Sequence, residues 1–528
     1  MDNEPCFLHS NAIIEPLVDR FFAWAHTYTP VQAAMNVAFL QVPLLESYLE
    51  SPATHVAASI NPDLRGGYFV NIAENRADEV RALVDSIKTK RAPMLEFAEG
   101  IAQADHLLEE NATGFDLTPL YAKLPPALSG LVELVYDMFS QPSIRFLEPL
   151  IYRSPVFAEG RQSVQLSLET GVERPFILST PRLPAPGVVD LPLPFRHPGL
   201  TALFAARLRP TSLNALREAL EIDDDETATG LTRLLSPEPP ARADRHIETG
   251  GRVRYFGHAC LVLQSPEAAI ITDPFISGDS TATGRYTYDD LPDHIDVCLI
   301  THGHQDHIVL ESLLQLRGRI GTVVVPRSSG GNLADPSLAL YLSSLGMDVT
   351  EADIFDEVSF PGGKLVATPF LGEHADLDIR AKSTYWVQLA GRSIFVGADS
   401  SGVDPKLYRH VRSHLGATDM AFLGMECDGA PLPWLYQALL TRPIPKRMSD
   451  SRKLSGSDAE QAADIVTELG AREAYIYAMG EESWLGHVMA TSYDEGSYQL
   501  RQIEKFLGWC RDHGVPAGHL LNQREWRW

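Results

Sequence analysis

The segment that most constrains this chain is Thr301–His307, which reads Thr-His-Gly-His-Gln-Asp-His. It crowds three imidazoles and one carboxylate into six residues, which is costly unless a bound cation holds the side chains together. The apolar run Val297–Ile300 before it is typical of a buried strand, and the apolar residues within 308–314 after it predict a helix. The motif therefore projects its side chains from the place where a strand gives way to a helix.

The spacing inside the motif predicts two metal positions. His302 and His304 are two residues apart in an extended loop and can reach one metal from the same side. Asp306 and His307 open the predicted helix and can reach a second metal close by. The motif therefore predicts a dinuclear metal site.

Composition excludes some classes of function. The chain has 528 residues, which favours two domains, and its formal net charge is −25. That charge argues against a general nucleic-acid binder and against attraction to anionic membrane surfaces. The five cysteines form no CxxC pair, and the N-terminus lacks the pattern of a signal peptide. We therefore expect a cytoplasmic protein with no nucleic-acid or membrane partner.

A proline-rich polar stretch, residues 236–242, marks the clearest boundary between two domains. Before it, two sets of apolar residues recur at the i, i+3, i+4, i+7 spacing of a helix, namely Val80, Leu83, Val84 and Ile87, and Ile14, Leu17, Val18 and Phe21. We therefore predict that residues 1–245 form a mainly helical domain with some strand.

Residues 246–528 show apolar strands that alternate with helices. The predicted strands lie within residues 252–263, 269–273, 297–300, 321–325, 364–369, 384–389 and 392–397. The predicted helices cover residues 306–317, 335–345, 456–469 and 496–513. This alternation predicts an α/β layered domain.

Further metal ligands are expected at the ends of other strands, because the four side chains of the motif cannot hold two metals alone. Asp399 ends the apolar run Ile394–Ala398 and is placed to bridge two ions. Glu373 and His374 follow another predicted strand, and His487 lies late in the chain. As a series at strand ends, these residues predict the rest of the site.

Together with Tyr255–Ala259 and Ile271–Pro274, these motifs resemble the metallo-β-lactamase fold. The resemblance covers residues 250–528 and implies an αββα sandwich, joined to a separate, mainly helical (α+β) N-terminal domain. It implies that Asp273 hydrogen-bonds a ligand imidazole and fixes its tautomer. The fold hosts hydrolases, nucleases and oxygenases, so it does not specify the reaction.

The segment Gly372–Asp378 narrows the resemblance, because Glu373 stands where hydrolases of this fold usually place a histidine. Together with the length of the chain and its large N-terminal domain, the sequence of this segment is similar to that of the di-iron oxygenases typified by the β-hydroxylase of chloramphenicol biosynthesis. The resemblance implies that one iron is bound by His302, His304 and Glu373 and the other by Asp306, His307 and His487, with Asp399 as the bridge between them. It also implies that Glu373 and Asp399 are the catalytic carboxylates. His374 is the alternative ligand, and its use would make the site hydrolase-like.

The same resemblance implies a di-iron, O2-dependent monooxygenase of natural-product biosynthesis. Its substrate would be an aminoacyl group on the carrier domain of a peptide synthetase, hydroxylated at the β-carbon. It also implies an external electron donor and a homodimer, with the N-terminal domain serving dimerisation or carrier docking. Zinc accepts the same ligands, so a dinuclear zinc hydrolase of lactones, thioesters or phosphodiesters is the alternative.

Three aromatic residues are candidates for the substrate pocket. Trp434, Tyr436 and Trp484 lie in the second domain, and Trp484 comes shortly before His487. They could enclose an aromatic or apolar side chain, while ordinary packing in the core is the alternative for each.

Overall fold

The structure, a computed structural model, describes residues 3–171, 173–240, 243–278 and 284–528. Two residues of the predicted boundary stretch, Ala241 and Arg242, lie outside the described residues. Among the helices of the described residues, none is long and apolar enough to cross a membrane.

Residues 3–240 contain both helices and short strands. The strands are β1 (Phe7–Leu8), β2 (Ala12–Val18), β3 (Phe21–Phe22), β4 (Val132–Tyr136), β5 (Pro142–Phe146), β6 (Gln162–Leu168), β7 (Val189–Leu191) and β8 (Leu235–Ser236). The α-helices are α1 (Ala25–Tyr28), α2 (Pro30–Asn36), α3 (Val42–Glu50), α4 (Pro52–Ser59), α5 (Ala77–Lys90), α6 (Ala92–Asn111), α7 (Glu148–Ile151), α8 (Pro198–Ala205), α9 (Leu213–Ala219) and α10 (Asp225–Thr232). The strands pair as β3-β2-β6-β7, β4-β5 and β1-β8.

From residue 252 onward, strands alternate with helices. The strands are β9 (Arg252–Gly257), β10 (Cys260–Gln264), β11 (Ala269–Thr272), β12 (Ile295–Leu299), β13 (Ile320–Pro326), β14 (Val349–Ala352), β15 (Glu357–Phe360), β16 (Gly363–Thr368), β17 (Thr384–Leu389), β18 (Arg392–Val396), β19 (Met420–Gly424), β20 (Glu473–Tyr477), β21 (Ala517–His519) and β22 (Arg524–Arg527). The α-helices are α11 (Leu310–Leu316), α12 (Leu338–Ser344), α13 (Lys406–Leu415), α14 (Pro433–Tyr436), α15 (Lys446–Ser451), α16 (Ala459–Leu469), α17 (Gly486–Met489) and α18 (Tyr498–Asp512).

These strands form two seven-stranded sheets that pack face to face. The first has the order β14-β13-β12-β11-β10-β9-β22, and the second has the order β15-β16-β17-β18-β19-β20-β21. Strand alternation assigns the faces: Val297 and Leu299 of β12 join Ile394 and Val396 of β18 in the core between the sheets, while Cys298 faces the outer side of the first sheet.

Helices cover the outer faces of both sheets. Helices α13, α16 and α18 pack their apolar side chains on the second sheet. Helices α11 and α12 cover the first sheet, and their core is continuous with that of residues 3–240. The predicted αββα sandwich with an added α+β half is therefore confirmed, whereas the exact boundary at residues 245–246 stays a prediction.

The two halves of the chain are joined by direct contacts as well as by the shared core. The Tyr28 hydroxyl lies 2.8 Å from the Ser344 hydroxyl, and the Tyr28 and Tyr341 rings are 4.9 Å apart. Farther along, Gln32 donates a hydrogen bond to the Leu333 carbonyl. The N-terminal half is thus the outer layer that covers the first sheet.

One of the two helices predicted before residue 90 is wrong. The set around Val80 is confirmed, because Val80, Val84 and Ile87 form the buried side of α5. The set around Ile14 belongs to β2 and β3, not to a helix. Every residue of β2 is buried, so apolar residues occur at strand and helix spacings alike, and Pro16 disfavours a helix interior.

The predicted elements of the second half exist, with shifted bounds. Residues 252–263 form two strands, separated by a turn at His258 and Ala259, rather than one. The helix predicted to begin at Asp306 begins at Leu310, so Asp306 and His307 lie in the preceding turn. The motif therefore forms a loop around the site and does not open the helix.

Candidate metal centre

Six of the seven predicted ligands meet at one edge of the two sheets. Thr301–His307 follows β12 of the first sheet. The second sheet contributes Glu373, which lies in the loop after β16, and Asp399, which lies three residues past β18. Each strand enters this edge by its carboxyl end, where the backbone is held by the sheet and the side chains beyond it are free. The ends of the strands therefore bring together residues that are distant in the chain.

The first group of potential ligands is His302, His304, Glu373 and His374, whose ligand atoms lie within 4.8 Å of one another. The Glu373 Oε1 atom is 2.8 Å from His304 Nδ1, and Glu373 Oε2 is 3.7 Å from His302 Nε2. His374 Nδ1 is 3.0 Å from Glu373 Oε2. Both the expected ligand at 373 and the alternative at 374 therefore belong to this group.

Two further groups share His307. One contains His258, Asp306 and His307, and the other contains His302, His307 and Asp399. His258 Nε2 lies 3.0 Å from Asp306 Oδ2, and His307 Nε2 lies 3.0 Å from Asp399 Oδ2. The group that contains Asp399 shares His302 with the first group and His307 with the second. Asp399 therefore lies between the other two groups, as a bridging carboxylate requires.

His258 was missed by the sequence analysis, although it lies in the segment Tyr255–Ala259 that supported the resemblance. It occupies the turn between β9 and β10, is fully buried and has a left-handed backbone with φ of 49°. Glu482 fixes that turn by accepting a hydrogen bond from the His258 backbone N–H. A histidine that is one residue past a strand end was the available signal.

His487 is not brought into any of these groups of the described residues. It is 2% exposed, and its ring packs edge-on against Phe22 and Phe275 at centroid distances of 6.4 and 6.3 Å. His487 therefore lies outside the three groups, and its Nε2 atom is buried without a hydrogen-bond partner among the described residues, so its role as a ligand of the second metal stays a prediction. His258 stands beside Asp306 and His307 instead.

Asp273 has the supporting contacts that the resemblance implied. Its Oδ2 atom lies 2.9 Å from His307 Nδ1, and its carboxylate accepts hydrogen bonds from the Thr301 N–H and hydroxyl at 2.8 and 2.6 Å. With Asp273 bound to Nδ1, the His307 Nε2 atom is left to face the site. Asp273 therefore orients the imidazole and holds the start of the motif.

Left-handed backbone is concentrated around the site. His258, Asp273, Glu373 and Ala398, the neighbour of Asp399, all have φ between 34° and 66°. Non-glycine residues adopt this conformation at a cost of about 1–3 kcal/mol each, and they cluster where a side chain must be aimed. These backbone conformations thus lower local stability but direct the side chains into the site.

The polar atoms of the site fit divalent cations. Glu373 Oε2, Asp399 Oδ1 and His307 Nε2 are buried, and their close contacts with neighbouring side chains lack the geometry of a hydrogen bond among the described residues. Buried polar atoms normally have partners, so several unpaired ones in one place indicate a missing cation. Nitrogen and carboxylate donors in this mixture suit iron and zinc.

Ionisation of these groups favours cation binding as well. Burial opposes ionisation of Glu373, but His304 and then His374 lower the pKa of Glu373 to about 2. Burial likewise opposes a charge on His307, yet Asp399 and Asp306 hold the pKa of this imidazole well above its usual value. Glu373 thus remains charged, and a metal bound at His307 would replace the extra proton of that imidazole, so metal binding there releases a proton.

A cavity of about 270 Å³ opens beside the ligand groups. His304, Asp306, Glu373 and Asp399 line it, whereas His374 lines a smaller neighbouring cavity. The rest of its lining comprises the side chains and backbone of Arg65, Gly66, Gln305, Glu426, Ala430, Trp434, Leu435, Leu454, Met489, Ala490 and Thr491. Glu373 therefore faces the space that a substrate could enter, and His374 lies off that space.

The three aromatic candidates have different surroundings. Trp434 lines the cavity, and its Nε1 donates to the Gly66 carbonyl at 3.0 Å. Tyr436 has its hydroxyl 2.9 Å from His304 Nε2 and lines the smaller cavity. Trp484 packs against Gly257 and under the Arg285 guanidinium, and it is absent from the lining of both cavities.

Glu426 and Gln305 also face the cavity, and the sequence analysis assigned neither. Glu426 lies two residues past β19, and Gln305 is the residue between His304 and Asp306 in the motif. Burial, followed by repulsion from Asp399 and Asp306, raises the pKa of Glu426 well above its usual value. These two side chains, together with Arg65 and Thr491, add polar groups to the lining of the cavity.

Two family models match the chain, one in each half. Residues 7–239 match the diiron non-heme beta-hydroxylase N-terminal domain, and residues 269–477 match the beta-lactamase superfamily domain. The first of these families is itself named for a di-iron hydroxylase.

Relatives of known sequence and structure extend over both halves. The chain is 35% identical to the 4-amino-L-phenylalanyl-[CmlP-peptidyl-carrier-protein] 3-hydroxylase of Streptomyces venezuelae, over 98% of this chain and 99% of that protein. It matches the crystal structure of CmlA, a diiron beta-hydroxylase from Streptomyces venezuelae, with a TM-score of 0.92, 34% identity and full coverage of both chains. A UPF0173 metal-dependent hydrolase of Bacillus licheniformis is 30% identical over 33% of this chain and 72% of that protein.

The hydrolase relative matches one third of the chain, whereas the hydroxylase relative matches both halves from end to end. The resemblance to di-iron oxygenases, and with it the prediction of a hydroxylase with an iron cofactor, is confirmed by that match. The chain belongs to the diiron non-heme beta-hydroxylase family.

Proposed function

We propose that this enzyme hydroxylates the β-carbon of an aminoacyl group that is tethered to the carrier domain of a peptide synthetase. The observation that carries the proposal is the end-to-end match to a relative whose name specifies such a carrier-bound aminoacyl substrate. That match includes the N-terminal half, whereas the Bacillus licheniformis hydrolase aligns with one third of the chain. Antibiotic or related natural-product biosynthesis is the corresponding context.

We propose His302, His304 and Glu373 as ligands of one iron, His258, Asp306 and His307 as ligands of the other, and Asp399 as the bridge. This set follows the three groups of ligand atoms, with His258 in the place expected for His487. Glu373 is preferred to His374 because it faces the large cavity. The added carboxylate supplies hard oxygen and negative charge, which favour the higher oxidation states of iron.

These residues would hold two ferrous ions that supply dioxygen activation, in which one oxygen atom enters the new C–OH group and the other leaves as water with two electrons from an external donor and two protons from solvent. The chain supplies the surroundings for this chemistry. Asp273 fixes the His307 imidazole, and the apolar side chains of Trp434, Leu435 and Leu454 limit access of water to the cavity. A substrate in this cavity would place its C–H bond beside the ligands.

Metal and oxygen dependence test this function. Protein reconstituted anaerobically should bind about two irons per chain, consume dioxygen only after reduction, and hydroxylate an aminoacyl-loaded carrier protein. Mass spectrometry of the carrier should show a gain of one oxygen atom. A protein that is active with zinc and without oxygen would instead be a hydrolase, and the proposal would be wrong.

We further propose that the enzyme is a homodimer that contacts its partner through the N-terminal half. Its most exposed large apolar side chains are there: Phe115, Met138 and Phe139 are 80%, 96% and 85% exposed. An exposed apolar group of this kind often marks a contact surface. Light scattering should give twice the chain mass, and Phe139→Glu should shift the mass toward that of one chain.

A further inference from the structure

A second cavity, of about 440 Å³, lies where the two halves of the chain meet. The end of α8 and the turn after it form one wall, and the end of α11 and the segment before β12 form the other. Its volume is within the range of about 300–1,000 Å³ that is typical of small-molecule sites. The cavity is therefore large enough for a ligand of its own.

This cavity lies at the opposite edge of the first sheet from the metal centre. Asp293 precedes β12 by two residues, and Arg319 precedes β13 by one. The two strands are parallel, with Ile295 opposite Ile320, so the cavity is at their amino ends. The metal-binding loop follows the carboxyl end of β12, which is roughly 15 Å or more away for a strand of this length. The cavity is therefore separate from the space beside the metal ligands.

The lining of this cavity is cationic, although the formal net charge of the chain is −25. Asp293 is the one carboxylate among the described residues of the lining, and Asp289 is a further acidic neighbour just outside it. Against these two carboxylates stand four arginines, namely Arg207, Arg209, Arg245 and Arg319. The cavity thus holds an excess of two positive charges, which attracts an anion.

Two of the arginines are fixed charges that bond to neutral acceptors. Arg207 is 3% exposed and donates to Gln315 Oε1 at 2.9 Å and to the Ala12 carbonyl at 2.6 Å. Arg319 Nε donates to the Pro292 carbonyl at 3.1 Å. Neither guanidinium has a carboxylate oxygen within 4.0 Å among the described residues. Since a charge removed from water is unfavourable without a counter-ion, an anion in the cavity would stabilise both.

The other two arginines have N–H donors available to a ligand. Arg209 is exposed, and its guanidinium bonds to none of the described residues. Arg245 Nε donates to the Asp289 carbonyl at 2.7 Å, and its Nη1 atom lies 3.5 Å from Asp293 Oδ1. Its Nη2 atom makes no hydrogen bond within the described part of the chain. A guanidinium with free N–H groups matches the oxygens of a phosphate.

The remaining wall is apolar and suits an organic group. Phe204 and Leu208 line the cavity beside Tyr288. The Arg207 guanidinium lies 4.6 Å from the centre of the Tyr288 ring, so the cation and the ring hold each other in place. A phosphate monoester carries a charge of about −1.5 to −2 near neutral pH, which matches the excess of positive charge. Its organic part would lie on the apolar wall.

We propose that this cavity binds a small organic phosphate, whose phosphate group contacts Arg209 and Arg245. Arg207 and Arg319 add the attraction of charges that are already fixed in place. The ligand would contact residues from both halves of the chain, so its binding stabilises the folded protein. This inference goes beyond the proposed function and does not depend on it, because the cavity lies away from the metal ligands.

Calorimetry with the iron-loaded protein tests the proposal with three probes. Phenyl phosphate should bind at a single site in this cavity, more tightly than inorganic phosphate, and phenol should show no binding. The affinity for phenyl phosphate should fall as sodium chloride is added, because salt screens the charges. Saturating phenyl phosphate should also raise the Tm of the protein.

Two variants locate the site. Arg209→Gln and Arg245→Gln should each weaken the binding of phenyl phosphate by about ten-fold or more, because each removes a charge-assisted contact. The side chain of Arg209 makes no contact that holds the fold together, so its variant keeps the test valid if Arg245→Gln is unstable. The matched control is Arg233→Gln, the same change at an exposed arginine outside the cavity lining. Iron content should equal that of the wild type in all three variants.

The opposite results are equally clear. No binding of phenyl phosphate up to about 10 mM would overturn the proposal. Unchanged binding in both cavity variants would place the ligand elsewhere, for example at the irons, and would overturn it too. Equal affinity for phenol would show that the phosphate is not recognised, and equal affinity for inorganic phosphate would exclude a role for the organic part. Loss of hydroxylation with intact phosphate binding would contradict the proposed function alone.

Discussion

At the scale of single residues, the site is a set of side chains that the backbone aims at one point. His302, His304, Asp306 and His307 come from one loop, and Glu373 and Asp399 come from two others. This much could be predicted, because metal-binding residues repeat at strand ends and the HxHxDH spacing is distinctive. His258 was missed although it follows a strand end, because the direction of its side chain depends on contacts such as that with Glu482, which is distant in sequence.

The choice between His258 and His487 is directly measurable. His258→Ala should bind about one iron per chain instead of two. Loss of a residue that merely supports a ligand lowers metal affinity by about ten- to hundred-fold, and loss of a direct ligand should lower it at least as much. His487→Ala should retain both irons, since the His487 ring packs against Phe22 and Phe275. Iron is measured by mass spectrometry after anaerobic reconstitution and desalting. The reverse pattern would restore His487 as the ligand.

Another residue-scale prediction concerns Glu148, which is 4% exposed. Burial raises the pKa of Glu148 to about 7 although the Ser337 N–H donates to its carboxylate. The folded state then holds a proton more tightly than the unfolded state, so this group's contribution to stability is complete below the unfolded pKa near 4.5 and is lost as the pH rises to 7.

Glu148→Gln removes that dependence. Relative to the variant, the wild-type protein should lose up to about 3 kcal/mol of unfolding free energy between pH 4.5 and pH 8. Urea unfolding of both proteins at several pH values measures the difference. A difference that is constant with pH would contradict the assigned pKa shift.

At the scale of elements, strand ends determine where the ligands lie. The Ala398 N–H donates to the Tyr477 hydroxyl at 3.0 Å, which links the end of β18 to β20 and fixes the residue before Asp399. Strands of this domain could be predicted from short apolar runs, but the helical interpretation of Ile14–Phe21 was wrong. A strand that is buried on both faces has apolar residues at nearly every position, so its pattern cannot distinguish strand from helix.

Removal of the Tyr477 hydroxyl tests this link. Tyr477→Phe leaves the Ala398 N–H buried without a partner, which should lower the unfolding free energy by about 1–3 kcal/mol. It should also speed the loss of iron to a chelator, because Asp399 is held less firmly. Tyr475→Phe is the matched control on the same strand, since the Tyr475 hydroxyl bonds to Glu473 and not to the site. Equal chelation rates in both variants would contradict this role.

At the scale of the whole molecule, the two halves share one apolar core. Residues of α2, α6 and β2 belong to the same cluster as those of α11 and α12, and Gln32 bonds to Leu333 across the halves. The division into two regions could be predicted from the change in pattern near residues 236–242. The shared core could not, because neither apolar pattern shows which surface of the other half it covers.

A shared core predicts one cooperative unfolding transition for the full chain. Scanning calorimetry should show a single peak whose calorimetric and van't Hoff enthalpies agree. Residues 246–528 produced alone should aggregate, because the outer face of the first sheet and its helices would lose their cover. Two resolved transitions, or a stable and monomeric fragment, would show that the halves are independent.

Both halves of the chain contribute to the wall of the cavity beside the metal ligands, and this affects how the substrate specificity of such enzymes can change. All of the proposed iron ligands come from residues after 257, whereas Arg65 and Gly66 of the other half close part of the space in which a substrate would lie. Mutations in the loop that carries Arg65 and Gly66 can therefore reshape what is admitted without disturbing the oxidising chemistry. New specificities within this lineage should accordingly arise first in the half of the gene that encodes no ligand.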